Sequence, residues 1–337
     1  MIDTPAPPGA GSRRRFPAWL IPVIGYAISL VCLIWVYRGF DWASELPRLK
    51  ATDWRWVSLA AVADILVYVC QGWRWSTLLS PLAPISFTKT VQAVYIGLFA
   101  NEVLPLRSGE VIRCYLQRRW SGLPLSVVVS SAIIERLMDG IWLVLGFWAV
   151  GYFVNLPRLL VEGSKVLVVV LATAGVLLAM AILFKKRAQA AVSRWRMLRH
   201  IVVGVHRMGN SGSFLAAFIL SLAYLALQVL PIWFLMLGYG LDLSIGVACA
   251  VLVILRLGTV IPQAPGNMGS FQALTVVGLQ LFGVDRGVAT GFATLAFLVV
   301  TVPLWLGGFV ALISTRMRLG QIHRDAHEEV GRGQETT

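Results

Sequence analysis

Charge is scarce in this sequence: only 13% of its 337 residues are Asp, Glu, Lys or Arg, against 58% hydrophobic ones. That balance excludes an ordinary soluble domain, and the apolar runs are too long to be its core helices. Cysteine and histidine are equally thin, with four of each. Cys32, Cys70, Cys114 and Cys249 stand singly inside apolar or amphipathic runs, which excludes a disulfide framework and a Cys/His zinc site. The scattered histidines form no catalytic cluster. A nucleotide-binding glycine pattern is missing as well, and the longest stretch expected outside the membrane is about thirty residues, too short to hold a polar donor substrate. No cofactor, no metal and no catalytic residue is therefore expected, and any enzyme chemistry would have to be wholly intramembrane.

What is present is a set of long apolar runs punctuated by basic clusters. The 29 Lys and Arg outnumber the 16 Asp and Glu, but they gather in short segments between the runs, as the positive-inside rule expects of a membrane protein rather than a nucleic-acid binder. Residues 1–16 read as a disordered cytoplasmic tail ending at Arg13-Arg14-Arg15. Full spans are expected at about 18–37, 54–79, 123–154, 165–184, 214–239 and 288–313. The segment after Arg38 reads as an outer loop, and Trp73-Arg74-Trp75 as an interfacial belt with Arg74 snorkelling to the headgroups. The block Lys185-Lys186-Arg187 with Arg194, Arg196, Arg199 and Arg207 sets the cytoplasmic side. Residues 319–337 read as a polar cytoplasmic tail.

Two segments break the pattern. The apolar run 86–100 is too short to cross about 30 Å of hydrocarbon at ~1.5 Å per residue. It meets Asn101-Glu102-Val103-Leu104-Pro105-Leu106-Arg107-Ser108-Gly109-Glu110, then resumes as a short helix to Arg118-Arg119-Trp120. A weak copy lies downstream, where Val260-Ile261-Pro262-x-x-Pro265-Gly266-Asn267-Met268 lines up with Val103-Leu104-Pro105-x-x-Ser108-Gly109-Glu110-Val111. Each reads as a re-entrant hairpin, at 86–120 and 243–283, within one integral domain 17–318. The expected architecture is all-α: about six transmembrane helices plus two re-entrant hairpins in an inverted repeat, the arrangement that marks a transporter site.

Charges inside the membrane are costly and must face one another or a wet cavity. Here they are Glu102, Arg107, Glu110, Arg113, Glu135, Arg136, Asp139 and Arg256. Glu135 and Asp139 share a helix face, and Arg136 and Asp139 can pair at i, i+3. Four acids and four arginines balance, which leaves two readings open. In one, a closed ion-pair network holds the hairpins to the bundle. In the other, some arginines stand free for an anionic headgroup, helped by free N–H groups and the positive dipole ends of the half-helices starting near Gly109 and Gly269. Asn267, Ser270 and Gln272 fit either capping of the half-helix or ligand contact.

Pro105-x-Arg107-x-Gly109-Glu110-x-x-Arg113, Glu135-Arg136-x-x-Asp139 and Pro262-x-x-Pro265-Gly266-Asn267-x-Gly269-x-Phe271, in that order, resemble the signature of the lysylphosphatidylglycerol synthase transmembrane region family. The resemblance runs from the second span to the last. It implies a flippase-like protein of the cytoplasmic membrane, with Arg107, Glu110, Arg113, Glu135, Arg136, Asp139 and the Pro265-Gly266-Asn267 turn lining a lipid cavity. Met268 and Gln272 depart from the family pattern, which has an aliphatic residue and often an acid there. No soluble synthase domain follows Arg318, so aminoacyl transfer is not expected of this chain. The function expected is lipid transport, with a membrane lipid as partner, no nucleic acid, and both termini cytoplasmic. The alternative is a scaffold or lipid-binding partner in a lipid or glycolipid synthesis complex.

Overall fold

A computed structural model describes residues 20–104, 108–152, 212–258 and 264–315, with scattered positions at 158–209 and 317–328. The expected tail 1–16, most of the span at 165–184 and the whole basic block named after it lie outside the described residues. Among the described residues the regular elements are all helical. They are α1 (Leu20–Tyr37), α2 (Trp42–Lys50), α3 (Trp54–Leu79), α4 (Phe87–Val103), α5 (Gly109–Ser121), α6 (Leu125–Val150), α7 (Gly212–Gly238), α8 (Ile245–Gly258), α9 (Ser270–Gln280) and α10 (Arg286–Ser314). By length and composition α3, α7 and α10 suffice to cross a bilayer, and α1 with α2 makes a fourth candidate bent by 87°. α6 has 26 residues, as long as α3, but carries three charges at its middle.

Helix starts follow the capping rules. The Asp53 carboxylate accepts the Arg55 N–H at 2.9 Å at the start of α3, and Asp285 accepts the Gly287 N–H at 2.8 Å at the start of α10. Gly122 ends α5 in the left-handed region at φ 71°, its N–H bonded to the Arg118 carbonyl. The expected outer loop instead contains α2. Its N-cap Asp41, first-turn Glu45 and last-turn Arg48 and Lys50 suit the helix dipole, a polar pattern with an internal Pro47 that hydropathy does not register. Glu45 is buried there and accepts a hydrogen bond from the Tyr239 hydroxyl at 3.2 Å.

The helices α3 and α7 form the central pair and run antiparallel. The Asp53 N–H bonds the Gly238 carbonyl at 3.0 Å at one end, and the Ser80 and Ser213 hydroxyls meet at 3.3 Å at the other. Around this pair the packing repeats. α3 packs on α4, α4 on α5 and α5 on α6; likewise α7 packs on α8, α8 on α9 and α9 on α10. The long helix of each set also lies against the first short helix of the other, α10 on α4 and α6 on α8. Alongside two smaller clusters among the described residues, two large apolar cores result. One gathers Leu78, Val94, Ile112, Leu116 and Val128 around α4 and α5; the other gathers Val57, Leu235, Val251, Leu279 and Phe292 around α8 and α9. Leu30, Leu66, Leu306 and Val310 face outward from α1, α3 and α10, as lipid-facing side chains should.

The C-terminal segment is not wholly a free tail. Residues 319–322 are helical, Ile322 is fully buried in the first core, and the Tyr115 hydroxyl of α5 donates to Asp325 at 3.3 Å.

Candidate functional site

Six ionic side chains close a ring between α3, α5 and α6. Arg74 Nε bonds Glu135 Oε1 at 3.2 Å, and Glu135 Oε2 accepts from Arg113 Nη1 at 3.1 Å. Arg113 Nε donates to Glu110 Oε2 at 2.7 Å, and Glu110 Oε1 accepts from Arg136 Nη2 at 2.5 Å. Arg136 Nη1 lies 3.5 Å from Asp139 Oδ2, and Asp139 Oδ1 returns to Arg74 Nη1. Three arginines alternate with three acids, so each charge has an opposite neighbour on either side and the ring is formally neutral. Planar guanidinium forks suit this use better than lysine would. Aromatic faces close it off: the Arg74 guanidinium lies 4.5 Å from the centre of the Tyr224 ring, and that of Arg113 4.7 Å from the Trp75 ring.

Arg74 corrects the sequence reading. Rather than snorkelling to an interface, it is fully buried, as is Trp75, whose indole N–H donates to Ser131 at 2.8 Å. Trp73 alone of that trio is exposed. The signal was in the spacing. Asp64, Val67, Gln71, Arg74 and Leu78 recur every three or four residues and are all buried, a single stripe of α3. An arginine on that stripe cannot reach water, so carboxylates had to meet it inside.

Beside the ring, a cavity of about 490 Å³ opens between the two short-helix pairs. Every element from α3 to α10 contributes to its lining. Of the residues singled out from sequence, Glu110, Arg136, Arg256, Gly266 and Asn267 line it, with Glu102 and Asp64. Glu135 and Arg113 lie behind its wall, the first wholly buried and the second 2% exposed. Asp139 is held at the ring between Arg74 and Arg136. Arg107 lies outside the described residues, with Pro105 and Pro262. The apolar part of the lining includes Leu98, Ile232, Leu252, Phe271 and Phe297.

The two breaks meet at this cavity. Pro265 opens a short 3-10 turn, Pro265–Asn267, that packs on α4; Gly266 stands at φ 71°, where a Cβ would come 2.9 Å from Glu102 Oε2. Asn267 is also left-handed, at φ 52°. α1 holds the turn from outside, where Ser29 Oγ accepts the Ala264 N–H at 3.1 Å. At each half-helix end one first-turn N–H is already taken by a side chain. The Gly109 N–H is taken by Asn101 Oδ1 at 2.8 Å and the Gly269 N–H by Gln272 Oε1 at 2.7 Å, while Ser270 donates to the Asn267 carbonyl at 2.9 Å. Capping therefore accounts for Ser270 and Gln272. A break inside apolar surroundings must satisfy its own backbone first.

Among the described residues, two acceptors in the cavity wall have no hydrogen-bond partner: Asp64 Oδ2 and Gln228 Oε1. Among the described residues no group of three His, Cys, Asp or Glu side chains is placed to hold a metal ion.

Known proteins resemble this chain along nearly its whole length. A UPF0104 membrane protein of Methanocaldococcus jannaschii is 24% identical over 84% of this chain and 91% of its own, and one of Methanothermobacter thermautotrophicus is 23% identical over 90% and 88%. The glycosyltransferase AglD of Haloferax volcanii is 23% identical over 91% of this chain but 56% of its own length. The family described as the lysylphosphatidylglycerol synthase TM region matches residues 23–308, a stretch that holds all six members of the ring and every residue lining the cavity. The chain is a membrane protein of the lysylphosphatidylglycerol synthase transmembrane region family.

Proposed function

We propose that this protein moves a lipid between leaflets of the cytoplasmic membrane, taking its phosphate-bearing headgroup into the cavity between two re-entrant hairpins, α4–α5 and α8–α9. One observation carries the reading: a cavity lined by both hairpins and both central helices, in which charged groups from five helices stand among aliphatic and aromatic ones. A headgroup would meet the charged groups, and its glycerol and upper chains the apolar ones. Arg136 and Arg256 are the cationic contacts. Arg74, Arg113, Glu135 and Asp139 hold the wall in place, and Glu110 belongs to both parts.

The packing also supports an inverted repeat. Exchanging α3 with α7, α4 with α8, α5 with α9 and α6 with α10 carries the main helix contacts onto one another, and the exchanged central pair is antiparallel. Two halves so related, within one integral domain and with both termini cytoplasmic, would present the cavity to each side in turn. Labels at Arg119→Cys and Leu281→Cys, in a chain freed of its four native cysteines, are expected to react from opposite sides of sealed vesicles. Reaction of both from one side overturns the inverted arrangement.

Transport itself is tested in proteoliposomes carrying fluorescent phosphatidylglycerol, with dithionite quenching from outside. The intact protein is expected to expose inner-leaflet reporter. A hydrogen bond to a charged group contributes about 1.5–3 kcal/mol, so Arg256→Gln is expected to slow transport about 10- to 100-fold while the protein stays folded in detergent. An unchanged rate removes Arg256 from the headgroup site.

The match to AglD favours a second reading. There a region similar to this chain is part of a protein named as a glycosyltransferase, so this chain would serve as the membrane partner of a glycolipid-synthesising enzyme. Absence of transport for anionic, zwitterionic and glycosylated reporters alike, with the protein folded, selects that reading.

A further inference from the structure

We propose that Asp64 is a proton-binding site in the cavity wall and that its protonation changes during each transport cycle; this rests on the translocase reading above. The ring acids are unsuited to the task. Glu135, Glu110 and Asp139 each lie between two arginines, so protonating any one strands buried guanidinium charge. Asp64 differs. It is 5% exposed, and among the described residues its Oδ2 has no partner and its side chain is hydrogen-bonded by Tyr68, a turn further along α3.

The ring is neutral by itself, and outside it the carboxylates and guanidinium groups that line the cavity among the described residues are Asp64, Glu102 and Arg256. Size selects the proton over a larger cation, because Oδ2 exposes almost no surface, and an ammonium group from a headgroup would have to displace neighbours to touch it. The ionisable groups around it are Tyr95 and Glu102 of α4, Glu110 of α5, Arg136 of α6, Tyr224 of α7 and Arg256 of α8. α10 contributes none there, since its only charged residue is Arg286 at its first position. In the cycle the proton adds to Oδ2 from water entering the cavity and leaves to water again, with no other bond made or broken. A headgroup phosphate beside Arg256 makes the cavity more negative, and so draws the proton on.

The test uses the full chain in phosphatidylethanolamine and phosphatidylglycerol vesicles with two independent readouts. In pH-difference infrared spectra a protonated-carboxyl band is expected that Asp64→Asn removes. In the fluorescent phosphatidylglycerol assay the intact protein is expected to change rate by up to about tenfold per pH unit on the limiting limb, as one titrating group requires, and Asp64→Asn to be flat. A band and pH profile both unchanged in Asp64→Asn overturn the proposal while leaving translocation standing. A band removed by Asp64→Asn, with no reporter moved by the intact protein at any pH, keeps the proton site and overturns translocation. Should Asp64→Asn not fold, Asp64→Glu keeps a carboxyl at the site and must keep the band; its loss overturns the proposal.

Discussion

Glu135→Ala is expected to destabilise the protein by about 3–5 kcal/mol, the cost of removing one partner from a buried ion pair and leaving the other charged. Here Arg74 and Arg113, both essentially without solvent contact, each lose one of their two acids, and the ring is left with one positive charge in excess. The loss is comparable to the whole stability of a marginal domain, so the variant should melt far lower in detergent or fail to accumulate. A double replacement gives the sharper result. Arg74→Met with Glu135→Met removes one charge of each sign, leaving Arg113, Glu110, Arg136 and Asp139 as a neutral open chain. The double variant should be more stable than either single one, because apolar side chains of similar volume replace a buried pair at little cost. If the double variant is as unstable as the sum of the singles, the ring is not acting as a neutral unit. Thermal unfolding followed by tryptophan fluorescence provides the measurement.

Gly109→Ala is expected to cost about 3 kcal/mol or more, at the upper end of overpacking effects. α4 and α5 cross so closely that a Cβ on Gly109 would run into the Gly97 carbonyl oxygen and come 2.6 Å from Asn101 Oδ1. Both are fixed: the first is backbone, the second holds the Gly109 N–H. The hairpin must splay, and Glu110 and Arg113 on the same helix would be drawn out of the ring. Gly122→Ala is the control. That residue has positive φ but nothing within 4 Å, so it carries only the backbone penalty of about 1 kcal/mol. Comparable melting temperatures for the two variants would mean that the close crossing does not constrain the hairpin.

How much of this was legible in the sequence depends on what kind of signal each part leaves. Long apolar runs mark α3, α7 and α10 to within a residue or two of their ends, because bilayer thickness sets a length that hydropathy reports directly. The break at Glu102 to Gly109 was equally plain, since charge, Pro105 and glycine interrupt a short apolar segment. The partners of those charges were less legible. The pairing of Arg136 with Asp139 follows from helix spacing, yet Arg74 lies far from Glu135 in sequence and sits between two tryptophans that imitate an interfacial belt. Only the buried stripe through Asp64 and Gln71 betrays it. α2 was missed for the opposite reason: its stability comes from a cap, the dipole and Tyr239, none of which raises its hydropathy. The caps of the half-helices were less legible still: Gln272 read equally well as a cap and as a ligand contact, and Asn101 was not read as a cap at all, until the fold places them against the Gly269 and Gly109 N–H groups.

The crossing of each long helix onto the other half's short pair bears on how the protein is made. α4 and α5 emerge early from the ribosome, but a wall of their core is α10, the last span described. At a synthesis rate of ~5–20 residues per second, that face waits on the order of ten seconds for its cover. A chain stopped before Arg286 would leave that face of α4 without the helix that packs on it.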